Sequence, residues 1–166
     1  MKNLFKTKRQ HVKISQLILV VIFLSIPFNL ISQEVQNFDN VKAIKSGTSD
    51  LHSLYYDNQP SLLIKQGKAI SSSDESENRV VELNVSNLHL LNERDYDLSS
   101  IELIRVIYNK SDKPSVLDLS KIKGLQNLKA IVFQCNFDCT SKTIEPLISI
   151  NTKIIPSIYY LISIPE

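Results

Sequence analysis

Ser115-Val-Leu-Asp-Leu-Ser-Lys-Ile-Lys-Gly-Leu-Gln-Asn-Leu-Lys-Ala-Ile-Val-Phe-Gln-Cys-Asn136 decides how this chain is read. Leu125, Leu128, Ile131 and Phe133 set a short apolar cadence that ends at Asn136. Ile131 and Phe133 would share one face of a strand, because side chains alternate along it with period two. A unit of this size cannot bury its apolar edge alone, so the stretch implies further units of the same kind stacked beside it.

Such units can be traced on both sides. The pattern asks for apolar residues at i, i+3 and i+5, with Asn or Cys near i+8. Val80, Leu83 and Val85 fit, with Asn87 one place early and Leu90 closing the series. Ile101, Ile104 and Val106 fit with Asn109 in register, and Leu128, Ile131 and Phe133 fit with Asn136 in register and Cys135 beside it. Tyr159, Ile162 and Ile164 make a fourth copy that ends against Pro165. Successive copies start 21, 27 and 31 residues apart. The Asn side chain is expected to bond the backbone where the chain leaves the strand and ladder bonding stops. Residues 118–128 would form a return with a helical turn ended by Gly124, and residues 143–150 a second, with Glu145 and Pro146 in its first turn.

Residues 80–137, most clearly Lys123-Gly-Leu-Gln-Asn-Leu-Lys-Ala-Ile-Val-Phe-Gln-Cys-Asn136, resemble the leucine-rich repeat family, with Ile and Val in place of most leucines. The resemblance implies an α/β fold: a short leucine-rich-repeat-like solenoid with a small parallel β-sheet of about four strands and helical or irregular returns. It also implies recognition through the sheet surface. The alternative is a small two- or three-layer α/β domain whose strands share this spacing.

The N-terminus reads as a separate module. Lys2, Lys6, Lys8, Arg9 and Lys13 precede an apolar block from Leu17 to Leu24, and Ser25-Ile-Pro-Phe-Asn-Leu-Ile-Ser-Gln33 comes after it. A basic region, a short apolar core and a small polar exit make residues 1–33 a secretory signal peptide, cleaved near Ser32 or Gln33. The apolar block is shorter than the roughly 20 residues that span a bilayer, and Pro27 and Asn29 interrupt it. An uncleaved membrane anchor is the competing reading. The expected location is therefore secreted or periplasmic, with membrane contact only through that segment if it stays on.

Cleavage changes the electrostatics. The chain has 19 Lys and Arg against 17 Asp and Glu, but five of the basic residues and none of the acids precede Gln33. The mature part carries 14 basic residues against 17 acidic ones, a net charge of −3. Nothing there resembles the clustered basic face of a nucleic-acid binder. Only three glycines occur, and the phosphate-cradling patterns G-x-G-x-x-G and G-x-x-x-x-G-K are absent from the sequence.

Residues 34–79 read as an N-terminal lead-in and capping segment, and residues 80–166 as the repeat-like domain. Residues 34–49 are polar and weakly patterned, a flexible lead-in. Asp50-Leu-His-Ser-Leu-Tyr-Tyr56 places Leu51, Leu54 and Tyr55 at helical spacing, with Asp50 as N-cap. Asp57-Asn-Gln-Pro-Ser61 turns the chain. Ser61-Leu-Leu-Ile-Lys-Gln-Gly67 is open between helical turn and strand, and Ser71-Ser-Ser-Asp-Glu-Ser-Glu-Asn78 reads as a solvated loop.

Residues with chemistry are few. Cys135 and Cys139 can close a small disulfide in an exported protein or remain two thiols, with Cys135 filling the turn position. A metal site would need more ligands than this pair has near it in sequence, so no metal and no cofactor are expected. His52 and His89 lie on separate segments with no strained Ser elbow between them. Glu93-Arg-Asp-Tyr-Asp97 alternates acids but lacks the Gly and distal Glu of a calcium loop. Asn84-Val-Ser and Asn109-Lys-Ser match the glycosylation sequon, which matters only in a eukaryotic secretory pathway. No catalytic constellation is visible.

The expected function is therefore that of an exported binding module for a protein or cell-envelope component, acting through the open sheet face. Its lining would be Glu82, Asn84, Leu103, Arg105, Ile107, Val132 and Gln134, in rows Glu82–Leu103–Ala130 and Asn84–Arg105–Val132. Should the N-terminal segment fold back, Leu62, Leu63 and Ile64 would cover that patch. The rivals are a small secreted hydrolase or hydrolase accessory domain and a membrane-tethered structural protein. The β-prone run Ile154-Ile-Pro-Ser-Ile-Tyr-Tyr-Leu-Ile-Ser-Ile-Pro-Glu166 would leave an uncovered last strand, inviting a partner strand or an edge-to-edge homodimer unless Pro165 and Glu166 blunt it.

Overall fold

The computed structural model describes residues 34–41, 49–72, 77–150 and 155–164. The chain divides at 32/33, and every described residue belongs to the second unit, Gln33–Glu166. Residues 1–33, expected to be a signal peptide, and residues 42–48, 73–76, 151–154 and 165–166 lie outside the described residues.

Seven strands form one sheet: β1 (Val35–Asn37), β2 (Ser61–Lys65), β3 (Lys68–Ser71), β4 (Val80–Asn84), β5 (Leu103–Tyr108), β7 (Ala130–Cys135) and β9 (Ser157–Ile162), in spatial order β1-β9-β7-β5-β4-β2-β3. From β2 through β4, β5 and β7 to β9, each strand pairs in parallel with the next one along this run. A two-residue turn at Gln66 and Gly67, both at positive φ, folds β3 back antiparallel on β2. Two short strands on the returns, β6 (Leu117–Asp118) and β8 (Ile148–Ser149), pair in parallel as a second sheet. The protein is thus α/β with a mostly parallel sheet and few helices, and the sheet has seven strands rather than about four.

The extra strands come from the segment expected to be a lead-in. Residues 34–41 are ordered as β1 and the one-turn helix α1 (Phe38–Val41), and β1 pairs with β9. Residues 61–65 resolve as strand, with Leu62 and Ile64 buried. The predicted helix is present as α2 (Ser49–Tyr56), although Asp50 lies inside its first turn rather than capping it.

The register corrects two of the four copies. Val81, Ile104, Ile131 and Ile158 stand in one row, and Leu83, Val106, Phe133 and Tyr160 in another. The second and third copies are therefore in the expected register, whereas the first begins two residues earlier than the sequence pattern suggests and the fourth four residues earlier. The position equivalent to Ile101 and Leu128 in the first copy is Asn78, a buried polar residue whose side chain bonds the Ser71 hydroxyl. In the fourth it is Ile155, which stands half exposed. Counted along the corrected row, the strands are 23, 27 and 27 residues apart (Val81 to Ile104 to Ile131 to Ile158).

Both sheet faces are packed. On one, Val81, Leu83, Ile104, Val106, Ile131, Phe133 and Ile158 meet the residues of the returns: Leu88 and Leu91 of α3 (Leu88–Glu93), Leu98, Leu117, Leu119, Leu125, and Ile144 of α4 (Ser141–Ile144) with Leu147 after it. The return expected over 118–128 is β6 and a 3-10 turn over Leu119–Lys121, with Gly124 at φ +81 where backbone of Leu98 and Ser99 approaches closely. Thr140 and Thr143 form a capping box at α4, and Pro146 lies at the start of the 3-10 turn after it. Cys135 and Cys139 are joined as a disulfide between β7 and α4, both buried.

Candidate functional site

The face that carries Glu82, Arg105 and Val132, expected to be open, is largely covered. Its true rows are Val80–Leu103–Ala130–Ser157, Glu82–Arg105–Val132–Tyr159 and Asn84–Ile107–Gln134–Leu161. The even slip keeps every side chain on its predicted face but changes its neighbours: Glu82 stands beside Arg105, not Leu103. Leu103 and Val132 are each 0% exposed, so neither offers the solvent contact expected of it. Their cover is the N-terminal segment, but not through Leu62, Leu63 and Ile64. Leu54 and Tyr55 of α2 and Phe38 of α1 pack on Val80, Leu103, Ala130, Val132 and Leu161, with Leu51 and Tyr159 at the margin.

Polar contacts fix this cover at both ends. At the helix start, the Lys129 ammonium donates to Asp50 at 2.5 Å and also meets Glu102 at 2.6 Å, while Arg79 Nε bonds Glu102 at 2.7 Å. Arg79, Glu102 and Lys129 each stand just ahead of a strand, and backbone bonds of 2.8 Å link them in series (Glu102 N–H to the Arg79 carbonyl, Lys129 N–H to the Glu102 carbonyl). The result is an alternating row of charge along the strand starts. Arg79 holds the Glu102 carboxyl below its usual range through their hydrogen bond, with Lys129 helping, and Asp50 then Glu102 raise the Lys129 ammonium.

At the helix end, the Arg105 guanidinium donates to the Tyr55 carbonyl and lies 4.7 Å from the centre of the Tyr55 ring. Glu82 pairs with the same guanidinium at 3.0 Å. The Tyr55 hydroxyl donates to Gln134 Oε1 at 3.0 Å. Burial pushes the Tyr55 phenol up to about 12 against the opposing pull of Arg105. The sequence pattern points to Glu82, Arg105 and Gln134 but not to Tyr55 as the partner of Arg105 and Gln134, nor to the Asp50–Lys129 pair at the other end. The visible signal is the charge alternation Arg79, Glu102, Lys129 just before three apolar runs.

Outside the cover, Leu63, Asn84 and Ile107 are half-buried and Ile70 on β3 is 55% exposed, while Gln134 and Tyr159, also half-buried, border it. Asn84, bonded to Asp112 at 2.8 Å, and Asn109, bonded to the same carboxylate at 2.9 Å, form a polar junction beyond the strand ends, where a glycan on either would displace it. Asn136 behaves as expected of a strand-exit Asn, its Oδ1 accepting from the Lys110 amide at 3.0 Å.

The remaining chemistry-bearing residues do not converge. His52 is exposed, its ring tilted by 37° against that of Tyr56 at a centroid distance of 4.4 Å. His89 lies 3.3 Å from the Ser115 hydroxyl through Nδ1, but that hydroxyl serves the start of α3, accepting from the His89 amide and sitting within bonding distance of the Val85 and Ser86 carbonyls. Asp97 is bonded to Ser99, and Asp95 lines a cleft of about 260 Å³ with Arg94, Tyr96, Lys121 and Lys123. Among the described residues, no three His, Cys, Asp or Glu side chains are grouped to hold a metal ion, and no helix is long and apolar enough to cross a membrane. No family model, curated protein or solved structure matches this chain.

Proposed function

We propose that the chain is an exported, leucine-rich-repeat-like binding module for a protein or cell-envelope component. The observation that carries this reading is the order of the parallel strands, each beside its predecessor from β2 to β9 at near-regular spacing, with the Asn136 side chain bonding across to the preceding turn. That arrangement favours a short solenoid over a domain whose strands share spacing by chance, because a stacked unit must meet the unit before it in the chain. Recognition falls to the part of the sheet face that α2 leaves open, Leu63, Ile70, Asn84 and Ile107, bordered by the half-buried Glu82 and Gln134 that engage Arg105 and Tyr55.

The last strand does not serve as the expected pairing edge, since β1 lies on it from Ile158 to Tyr160. An edge-to-edge homodimer would instead use one of the outer strands, β1 or β3, and on β3 Lys68 near Ile70 works against it, as lysine commonly blunts exposed edges. Partner capture from a cell-envelope fraction tests the proposal. Wild type is expected to retain a partner that Ile107→Asp loses while its circular dichroism spectrum is unchanged. Equal capture by both would remove this face from the function. Export with removal of residues 1–33 is tested by the intact mass of the secreted protein, and an undiminished mass in membranes would favour the tether.

A further inference from the structure

The hairpin at the open end of the sheet face carries a repulsion that the described contacts do not offset. Leu63 faces Ile70 across β2 and β3, and Lys65 faces Lys68 two residues further along. Side chains alternate along a strand, so all four project on one face. Leu63 stands beside Glu82 of β4, which makes this the face of Asn84 and Ile107. Like charges directly opposite each other on neighbouring strands destabilise the pair. Both lysines are exposed, and among the described residues no carboxylate is paired with either. Glu82, the acid that shares their face, is taken by Arg105 at 3.0 Å.

A third cation is drawn to the same turn. The guanidinium of Arg94, just after α3, donates to the Gly67 carbonyl, so close that a Cβ on Gly67 would lie 3.1 Å from Nη2. Edge protection accounts for only part of this arrangement. Lys68 is on the outer strand, where lysine blunts an unpaired edge. Lys65 is on β2, which β3 and β4 pair on both sides, so it guards no edge. Nor does composition account for it, since residues 34–166 hold 14 basic residues against 17 acidic ones. Aliphatic surface adjoins the lysines: Ile70 is largely exposed, and Leu63 and Ile107 are half-buried. Uncompensated cations beside aliphatic surface match a peptide that has carboxylates next to aliphatic side chains. An anionic polysaccharide would use the charge and leave the aliphatic surface idle.

We propose that this end of the face binds an acidic peptide segment of a partner protein, with Asp or Glu beside Leu, Ile or Val. Its carboxylates are taken by Lys65 and Lys68, with Arg94 adding to the positive field at the turn, and its aliphatic side chains lie on Leu63, Ile70 and Ile107. The proposal rests on the binding-module reading and names the chemistry of the partner. Opposite charge across such a contact sets partner choice and speeds encounter, and it removes the repulsion between the two lysines.

The test screens immobilised residues 34–166 against a library of random peptides displayed on phage. Selected peptides are expected to be enriched in Asp and Glu next to Leu, Ile or Val and to weaken as salt is raised. They should bind the double variant Lys65→Gln, Lys68→Gln at least about tenfold more weakly. Selection without that enrichment, or none above a blank surface, overturns the proposal. Polygalacturonate binding as tightly as the selected peptides overturns the peptide in favour of a glycan. Ile107→Asp separates the proposal from the reading beneath it. Binding lost with Ile107→Asp but kept by the double variant leaves the face standing and removes the lysines, whereas binding indifferent to both removes the face. A second measurement needs no ligand. Relief of repulsion predicts that Lys65→Gln raises the thermal denaturation midpoint at low salt and that added salt shrinks the gain. A lowered midpoint would show that the chain's own carboxylates already serve the pair, and it too overturns the proposal.

Discussion

The sheet has two buried faces that are covered by different means. Over Ile104, Val106, Ile131 and Phe133 lie the returns, each the obligatory connection between two neighbouring strands, and they supply a continuous apolar layer. Over Leu103, Ala130 and Val132 lie α2 and Phe38 of α1, from upstream of these strands, which add two charged anchor points to a smaller apolar contact. The first cover cannot leave without undoing the strand order. The second is also a connection, running from β1 to β2 at opposite sides of the parallel run, but it crosses the intervening strands instead of joining two neighbours. The two faces therefore differ in how their cover is tied to the sheet, locally at each strand pair or only at two distant strands.

Truncations on the two faces should separate them most clearly. Phe133→Ala empties a fully buried site beneath the returns and is expected to cost ~3–5 kcal/mol of global stability, read as a lowered denaturation midpoint. Leu54→Ala should fall near the lower end of the ~2–5 kcal/mol seen for buried leucines, because a short eight-residue helix can settle towards the sheet and the cost depends on how well a site collapses. Equal losses would erase the contrast between the faces.

Alkaline pH sharpens it further. Because the Tyr55 phenol is raised, folding favours its neutral form. That contribution is complete below the ordinary value of about 10 and is lost as pH rises towards about 12. Ultraviolet titration should find one late-ionising tyrosine that Tyr55→Phe removes, and α2 amides should lose protection over the same interval.

The charged row at the strand starts should give the smallest effect. The Glu102 carboxyl is lowered, so its contribution is present above the unfolded value of about 4.3 and disappears as pH falls through the lower folded one. Glu102→Gln should flatten the acid limb of thermal stability by less than about 1 kcal/mol, in keeping with partly exposed ion pairs. An unchanged acid limb would leave the row without a stabilising role.

How far the sequence could be read depended on which residues were unambiguous. β7 and its return are legible because Leu128, Ile131, Phe133 and Asn136 all satisfy the pattern at once. α2 is legible from Leu51, Leu54 and Tyr55. The first copy slips because Asn78 fills an apolar position with a hydrogen-bonded amide, which pushes the pattern on to Val80. The fourth slips because Ile155 to Ile164 is apolar almost throughout, and a sheet buried on both faces removes the alternation that would fix register. Both slips are even, so the face of each residue comes out right while its neighbours do not. The closing of β1 on β9 and the seating of α2 are contacts between residues far apart in the chain, and local pattern carries no record of them.

The most direct test is a methyl and amide NOESY spectrum of residues 34–166. The account predicts cross-strand contacts that place Ile104 between Val81 and Ile131, and Ile131 opposite Ile158, together with contacts from the Leu54 methyls to Leu103 and Val132. Leu83 opposite Ile104, or Leu54 methyls remote from the sheet, would contradict it.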